Sequence, residues 1–211
     1  MNAVIVGEDQ VTKEIIKRLI SIYAPFLNQL NEIPARGSQA LNFDNIVKYN
    51  QLALSIPVIL LTDLDDALCA PAKKSEILHG IEQNPLFIIN IAVEEAETWL
   101  MADKENFISY FCVEDKIPIA QICRMHGRTE RIETIYEYKP SLYMMREVIS
   151  TSTKLAIRQQ LTPKEGAKKG PEYNTAMTPF IQNIWNPEKA RLNSYSLEKM
   201  INHLQAISPY K

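Results

Sequence analysis

With 211 residues and 46% hydrophobic content, the chain is long enough to bury a core as one large domain, or as a domain with a small cap. No stretch approaches the ~18 apolar residues of a membrane span, and Met1-Asn2-Ala3-Val4 enters an apolar run with no basic leader region. Cys69, Cys112 and Cys123 lack metal-ligand spacing, and His79, His126 and His203 are scattered. An odd cysteine count argues against a disulfide framework, which leaves the expectation of a reducing cytoplasm and no zinc.

In chain order, Ala3-Val4-Ile5-Val6 is a short apolar run closed by Gly7-Glu8-Asp9, the pattern of a buried parallel strand. Residues 11–22 place Val11, Ile15, Ile16, Leu19 and Ile22 on one helical face. Leu27–Ile33 reads as a short strand, Arg36-Gly37-Ser38 as a turn, and residues 41–53 as a helix. Val58-Ile59-Leu60-Leu61 is a second apolar run, and it leads into Thr62-Asp63-Leu64-Asp65-Asp66. Cys69-Ala70-Pro71 precedes a helix from Lys73 to Ile81, Phe87–Ala92 is another strand, and Val93–Ala102 a helix with Val93, Ala96, Trp99 and Leu100 on its buried stripe. Alternating strands and helices predict an α/β fold: a Rossmann-like parallel sheet flanked by helices, with right-handed crossovers. It fills residues 1–110.

Residues 111–211 read as a mainly helical C-terminal extension packed on that sheet. Ile117–Met125, Leu142–Gln160 and Thr175–Ile184 are its helical stretches, and Thr162–Asn174 is a polar, lysine-rich loop. Asn186-Pro187-Glu188 supplies an N-cap and a proline at the first helical position. Ser194 or Ser196 caps a last helix toward Ala206.

Charge is unevenly spread. Residues 1–115 hold 8 Lys/Arg against 17 Asp/Glu, residues 116–169 hold 11 against 5, and residues 170–211 hold 4 against 3. Such asymmetry fits an acidic site beside a polyanion-binding surface, or oppositely charged faces that pack together.

The acids fall where strands end, which is where open α/β sheets bind ligands. Asp63 and Asp65 follow the second apolar run, so their side chains share a side if the extended geometry continues. Carboxylates at that spacing suit Mg²⁺ or Mn²⁺, while Asp is equally at home in turns and helix caps. Glu8 stands at the mouth of the sheet as a metal ligand or general base, with Gly7 allowing a sharp turn before it. Its plain alternative is a solvated strand end beside a helix start, where acids are favoured by the dipole. Glu94, Glu95 and Glu97 begin the helix after Phe87–Ala92, and the same dipole argument competes with a ligand role for Glu95 or Glu97. Trp99 reads as core, and Cys69 as a small buried residue. Lys164-Glu165-Gly166-Ala167-Lys168-Lys169-Gly170-Pro171 lacks P-loop spacing. It is read either as closing over a phosphate backbone or as a solvated loop.

An acid closing the first strand and an Asp-x-Asp after a later strand of a parallel sheet resemble the Toprim domain, shared by topoisomerases, bacterial primases and the overcoming-lysogenisation-defect nucleases. More narrowly, the chain resembles small bacterial Toprim-like proteins related to those nucleases. The matching stretches are Val6-Gly7-Glu8-Asp9, Leu61-Thr62-Asp63-Leu64-Asp65 and Ala92–Asp103. Toward the end of the chain they are Gly170-Pro171-Glu172-Tyr173-Asn174, Trp185–Arg191 and Asn193-Ser194-Tyr195-Ser196-Leu197. The order Gly7-Glu8 is the reverse of the usual Toprim order, Glu94 stands where relatives are expected to carry a basic residue, and Tyr138-Lys139-Pro140 departs from an expected acid-Pro-Lys.

The resemblance implies a Mg²⁺-dependent (or Mn²⁺-dependent) phosphodiesterase, most simply a nuclease, acting in phage defence beside an ABC-type ATPase. Glu8, Asp63 and Asp65 would be catalytic and bind metal, with Asp66, Glu95 or Glu97 completing a second site. Lys168, Lys169 and Arg191 are the candidate phosphate contacts. Candidate partners are nucleic acid, such an ATPase and a second copy of the chain; a membrane is not among them. The alternative is a non-catalytic module whose Toprim-like sheet docks the ATPase. A third reading, a phosphatase with Asp63 as nucleophile and Asp65 as acid, ranks lower because that Asp-x-Asp usually follows the first strand.

Overall fold

The computed structural model describes residues 1–33, 37–125 and 129–208. The chain forms two compact units, Met1–Val93 with Lys199–Lys211, and Glu94–Glu198. It is an α/β protein with a parallel sheet, and its C-terminal part is mainly helical. Among the described residues, no helix is long and apolar enough to cross a membrane.

In the first unit the elements run β1 (Asn2–Gly7), α1 (Gln10–Tyr23), β2 (Gln29–Glu32), α2 (Phe43–Leu52), β3 (Val58–Asp63), α3 (Ala70–Leu78) and β4 (Phe87–Ala92). The four strands are all parallel, in the order β2-β1-β3-β4, a Rossmann-like arrangement. Alternate residues of a strand point to opposite faces. Val4, Val6, Val58, Leu60, Phe87 and Ile89 therefore share one face, where they join Ile46, Tyr49 and Ile77 of α2 and α3 in one apolar cluster. Ala3, Ile5, Ile59 and Leu61 are equally buried on the other face. A Cβ at Gly7 would stand 3.0 Å from Thr12 Cγ2 and 3.2 Å from Lys13 Cγ, so α1 covers that second face. Gly7 is thus required by the close approach of α1. Its φ is not among the positive ones, and the chain bends directly after it, at Glu8 and Asp9.

The second unit holds α4 (Ala96–Ala102), α5 (Lys104–Phe111), β5 (Gln121–Met125), β6 (Thr129–Glu133), α6 (Pro140–Tyr143), α7 (Leu155–Leu161), α8 (Tyr173–Asn183) and α9 (Pro187–Ala190). A last helix, α10 (Tyr195–Gln205), begins in this unit and contributes its residues from Lys199 to the first. The core of the second unit is aromatic. Trp99 and Trp185 are fully buried, and the Trp185 indole N–H donates to the Trp99 carbonyl at 3.0 Å. Phe107, Phe111 and Phe180 meet with ring centroids 4.7–5.4 Å apart. Gly170 is held against α7, since a Cβ there would fall 2.5 Å from the Gln160 carbonyl oxygen.

Two helical expectations give way. Residues 121–125 of the expected helix Ile117–Met125 form a strand paired antiparallel with β6, with Ile122 opposite Ile132. Cross-strand partners, invisible to local periodicity, decide strand formation here. The expected helix Leu142–Gln160 is interrupted by a π turn at Met144–Val148 and a 3₁₀ turn at Ile149–Thr151. The break comes at the hydroxyl run Ser150-Thr151-Ser152-Thr153, whose side chains compete for backbone groups. Buried Ser152 donates to the Phe111 carbonyl at 2.5 Å and accepts from Lys154 N–H at 3.2 Å. Arg36 and His126 lie outside the described residues.

Candidate functional site

The strand order reverses between β1 and β3. From β1 the chain goes out to β2 on one side, whereas β3 and β4 lie on the other. This is a topological switch point, where the loops beyond the carboxyl ends of two neighbouring strands diverge and leave a crevice. Gly7 of β1 pairs with Leu61 of β3, so Glu8 follows directly beside Thr62, with Asp63 next along. The Thr62 hydroxyl, on a residue 1% exposed, donates to Glu8 Oε1 at 2.6 Å. Among the described residues Thr62 is the one hydrogen-bond partner of Glu8, so the carboxylate is oriented while its second oxygen stays available. Asp63 is the last residue of β3, and it is partly buried.

The neighbouring acids are used differently. Asp9 caps α1, accepting from Thr12 N–H at 2.8 Å and the Thr12 hydroxyl at 2.9 Å. The extended geometry ends at Asp63, because Asp65 has a left-handed φ of 49°. Its carboxylate accepts from Lys73 Nζ at 2.8 Å, so Asp63 and Asp65 do not present the side-by-side pair that a continued strand would give. Asp66 is exposed. Cys69 is buried, as expected, and also caps α3: its Sγ accepts from Ala72 N–H at 3.3 Å.

In the second unit Glu95 and Glu97 are 6% and 5% exposed. Carboxylates withdrawn from water to this extent require donors or cations. Glu95 accepts from Ser141 N–H at 2.6 Å and pairs with Lys139 at 2.7 Å. Glu97 accepts from the Tyr173 hydroxyl at 2.7 Å, and Lys169 stands 3.4 Å away. Glu94 has a φ of 66° and accepts from Tyr136 N–H at 3.3 Å. Burial raises its pKa, the Tyr136 bond opposes the rise, and the charge of Glu95 adds to it. Glu133 is 2% exposed and receives Ser196 N–H at 2.6 Å and the Ser194 hydroxyl at 2.9 Å. Burial lifts it to about 7 against these bonds. Trp99 is core, with its indole N–H on the Ser196 hydroxyl at 2.9 Å.

Of the expected phosphate contacts, Lys169 bonds Glu97 and lies 4.5 Å over the Tyr173 ring. Arg191 pairs with Glu188 at 3.5 Å and Glu198 at 3.4 Å. Lys168 is exposed. Sequence reasoning missed Thr62, Lys73, Lys139 and Tyr173 as partners of the acids. For Lys73 a signal existed, since a helix beginning just after an acidic turn brings a basic residue back toward it. For Lys139 and Tyr173, more than forty positions from their glutamates, no local pattern exists.

Comparison with protein-family models, curated proteins and solved structures finds no match to this chain.

Proposed function

We propose that the chain is a divalent-cation-dependent phosphodiesterase, acting as a nuclease, with Glu8 and Asp63 as the residues that hold the cation. The observation that carries this reading is the position of both residues at the switch point, with the Glu8 carboxylate oriented by the Thr62 hydroxyl. Hard oxygen donors of this kind fit Mg²⁺ or Mn²⁺. The bound cation supplies charge stabilisation at the phosphate and acidifies a water. The chain's own part is to fix the two carboxylates on rigid strand ends. Asp65 and Asp66 are proposed as further ligands. Recruiting Asp65 requires exchange with Lys73, which already occupies it. Lys168, exposed and without an ion-pair partner among the described residues, is the proposed phosphate contact. Phage defence beside an ABC-type ATPase remains the biological setting that the Toprim resemblance suggests.

Asp63→Ala is expected to abolish Mn²⁺-dependent cleavage of a labelled oligonucleotide while leaving the circular dichroism spectrum unchanged. Full cleavage by a folded Asp63→Ala protein would sink the assignment. A second reading, a non-catalytic module that docks an ATPase, is favoured by the number of acids and bases already paired with one another. It predicts no cation-dependent behaviour at all.

A further inference from the structure

A second cluster of charge lies in the first unit, on the β4 side of the sheet. A cavity of about 290 Å³ is bounded there by Lys74 of α3, by Gln83, Phe87 and Ile89, and by His203 and Ile207 at the end of the chain. Its walls are mostly apolar, yet three basic groups gather at it. Lys74 and His203 line it, and Lys199 stands one helical turn before His203 on the same face of α10. Among the described residues neither Lys74 nor Lys199 has an acidic partner. Burial lowers the Lys74 pKa, and the charge of Lys199 lowers it further. Burial also lowers that of His203, with Lys199 and then Lys74 adding to the effect. Like charges gathered without a counter-charge repel, and an anion placed among them relieves the repulsion.

The histidine is also preset. Asn90 is 4% exposed and directs its amide N–H₂ to the Leu60 carbonyl at 3.3 Å. Its carbonyl oxygen therefore faces His203 Nδ1 at 2.8 Å, and Nδ1 carries the proton. Nε2 holds the lone pair in the neutral ring and becomes a second donor when the ring is protonated.

We propose that this cavity binds a small organic phosphate, its dianionic head held by Lys74, His203 and Lys199 and its apolar body laid against Phe87, Ile89 and Ile207. A phosphate matches the site better than a carboxylate because two charges answer the two lysines, and three oxygens reach three donors. The head stabilises protonated His203, so binding takes up a proton. The groups that set this uptake are Lys199 on the same helix, Lys74 from α3 and neutral Asn90 from β4.

The test is calorimetric titration of the full chain with phenyl phosphate and with inorganic phosphate, in EDTA, so that no cation at Glu8 and Asp63 takes part. Buffers of different ionisation heat report the proton. Saturable binding of phenyl phosphate, roughly tenfold tighter than inorganic phosphate through burial of the ring, is expected. Lys74→Gln should weaken it by about tenfold, the loss of one charge-assisted bond, without lowering the melting temperature of the free protein. His203→Gln should bind without proton uptake. No saturable heat at millimolar probe, or unchanged affinity in Lys74→Gln, would overturn the site. Equal affinity for the two probes would overturn the apolar subsite.

Discussion

The acids at the ends of β1 and β3 and the acids of the second unit are the same chemical groups in opposite circumstances. Glu8 and Asp63 are partly buried, and Asp65 and Asp66 are exposed; Glu8 accepts from the Thr62 hydroxyl and Asp65 meets Lys73. Glu95, Glu97 and Glu133 are each less than 7% exposed. Each accepts at least one hydrogen bond from a buried donor. Burial demands partners, so the second group has its hydrogen bonding built in. The first group sits at the sheet edge where ligands bind. Acids that look alike in a sequence therefore stand in two circumstances, and only the fold tells them apart.

Truncation separates the two groups most strongly. Glu95→Ala leaves the buried Ser141 N–H without an acceptor and is expected to cost about 2 kcal/mol in denaturant unfolding. Glu8→Gln, measured in EDTA, keeps an oxygen that can accept from the Thr62 hydroxyl and should stay within about 0.5 kcal/mol of wild type. Equal losses in both groups would erase the distinction.

The pH dependence sharpens it. Glu133 is lifted from 4.5 to about 7, so the folded protein keeps a proton that the unfolded chain releases from pH 4.5 upward. The stability this group contributes is full below pH 4.5 and is lost as pH rises through about 7. The slope is at most about 1.4 kcal/mol per pH unit. Glu133→Gln, which stays neutral, should lose that slope relative to wild type. Identical pH profiles for the two proteins would contradict the burial argument.

The smallest effect belongs to the exposed ion pair. Asp65 is half exposed where it meets Lys73, and Asp65→Asn should change stability by no more than about 0.5 kcal/mol. A larger loss would place Asp65 with the built-in acids.

Much of this was legible in the chain. The apolar runs at Ala3–Val6, Val58–Leu61 and Phe87–Ala92 are central or buried strands, and their continuity announced a parallel sheet. The placement of Glu8 and Asp63 at strand ends followed from the same runs. Asn186 before Pro187 does cap α9, and the Ser194 hydroxyl accepts from Leu197 N–H at 3.3 Å at the start of α10. Less was legible where distant residues decide. The strand order that makes Glu8 and Asp63 neighbours is a tertiary fact. So are the Ile122–Ile132 pairing, the packing of Thr12 against Gly7, and the lysines and tyrosine that reach Glu95 and Glu97. The left-handed turn at Asp65 is local, but Asp tolerates both that conformation and an extended one, so composition did not choose between them.

The most direct test of a cation held by Glu8 and Asp63 is thermal unfolding of wild type and Asp63→Asn in Mn²⁺, in Mg²⁺ and in EDTA. A ligand at a hundred times its dissociation constant stabilises the fold by about 2.7 kcal/mol. The proposal predicts a rise in melting temperature with either cation in the wild type, and none in Asp63→Asn. No shift in the wild type, or the same shift in both proteins, would contradict it.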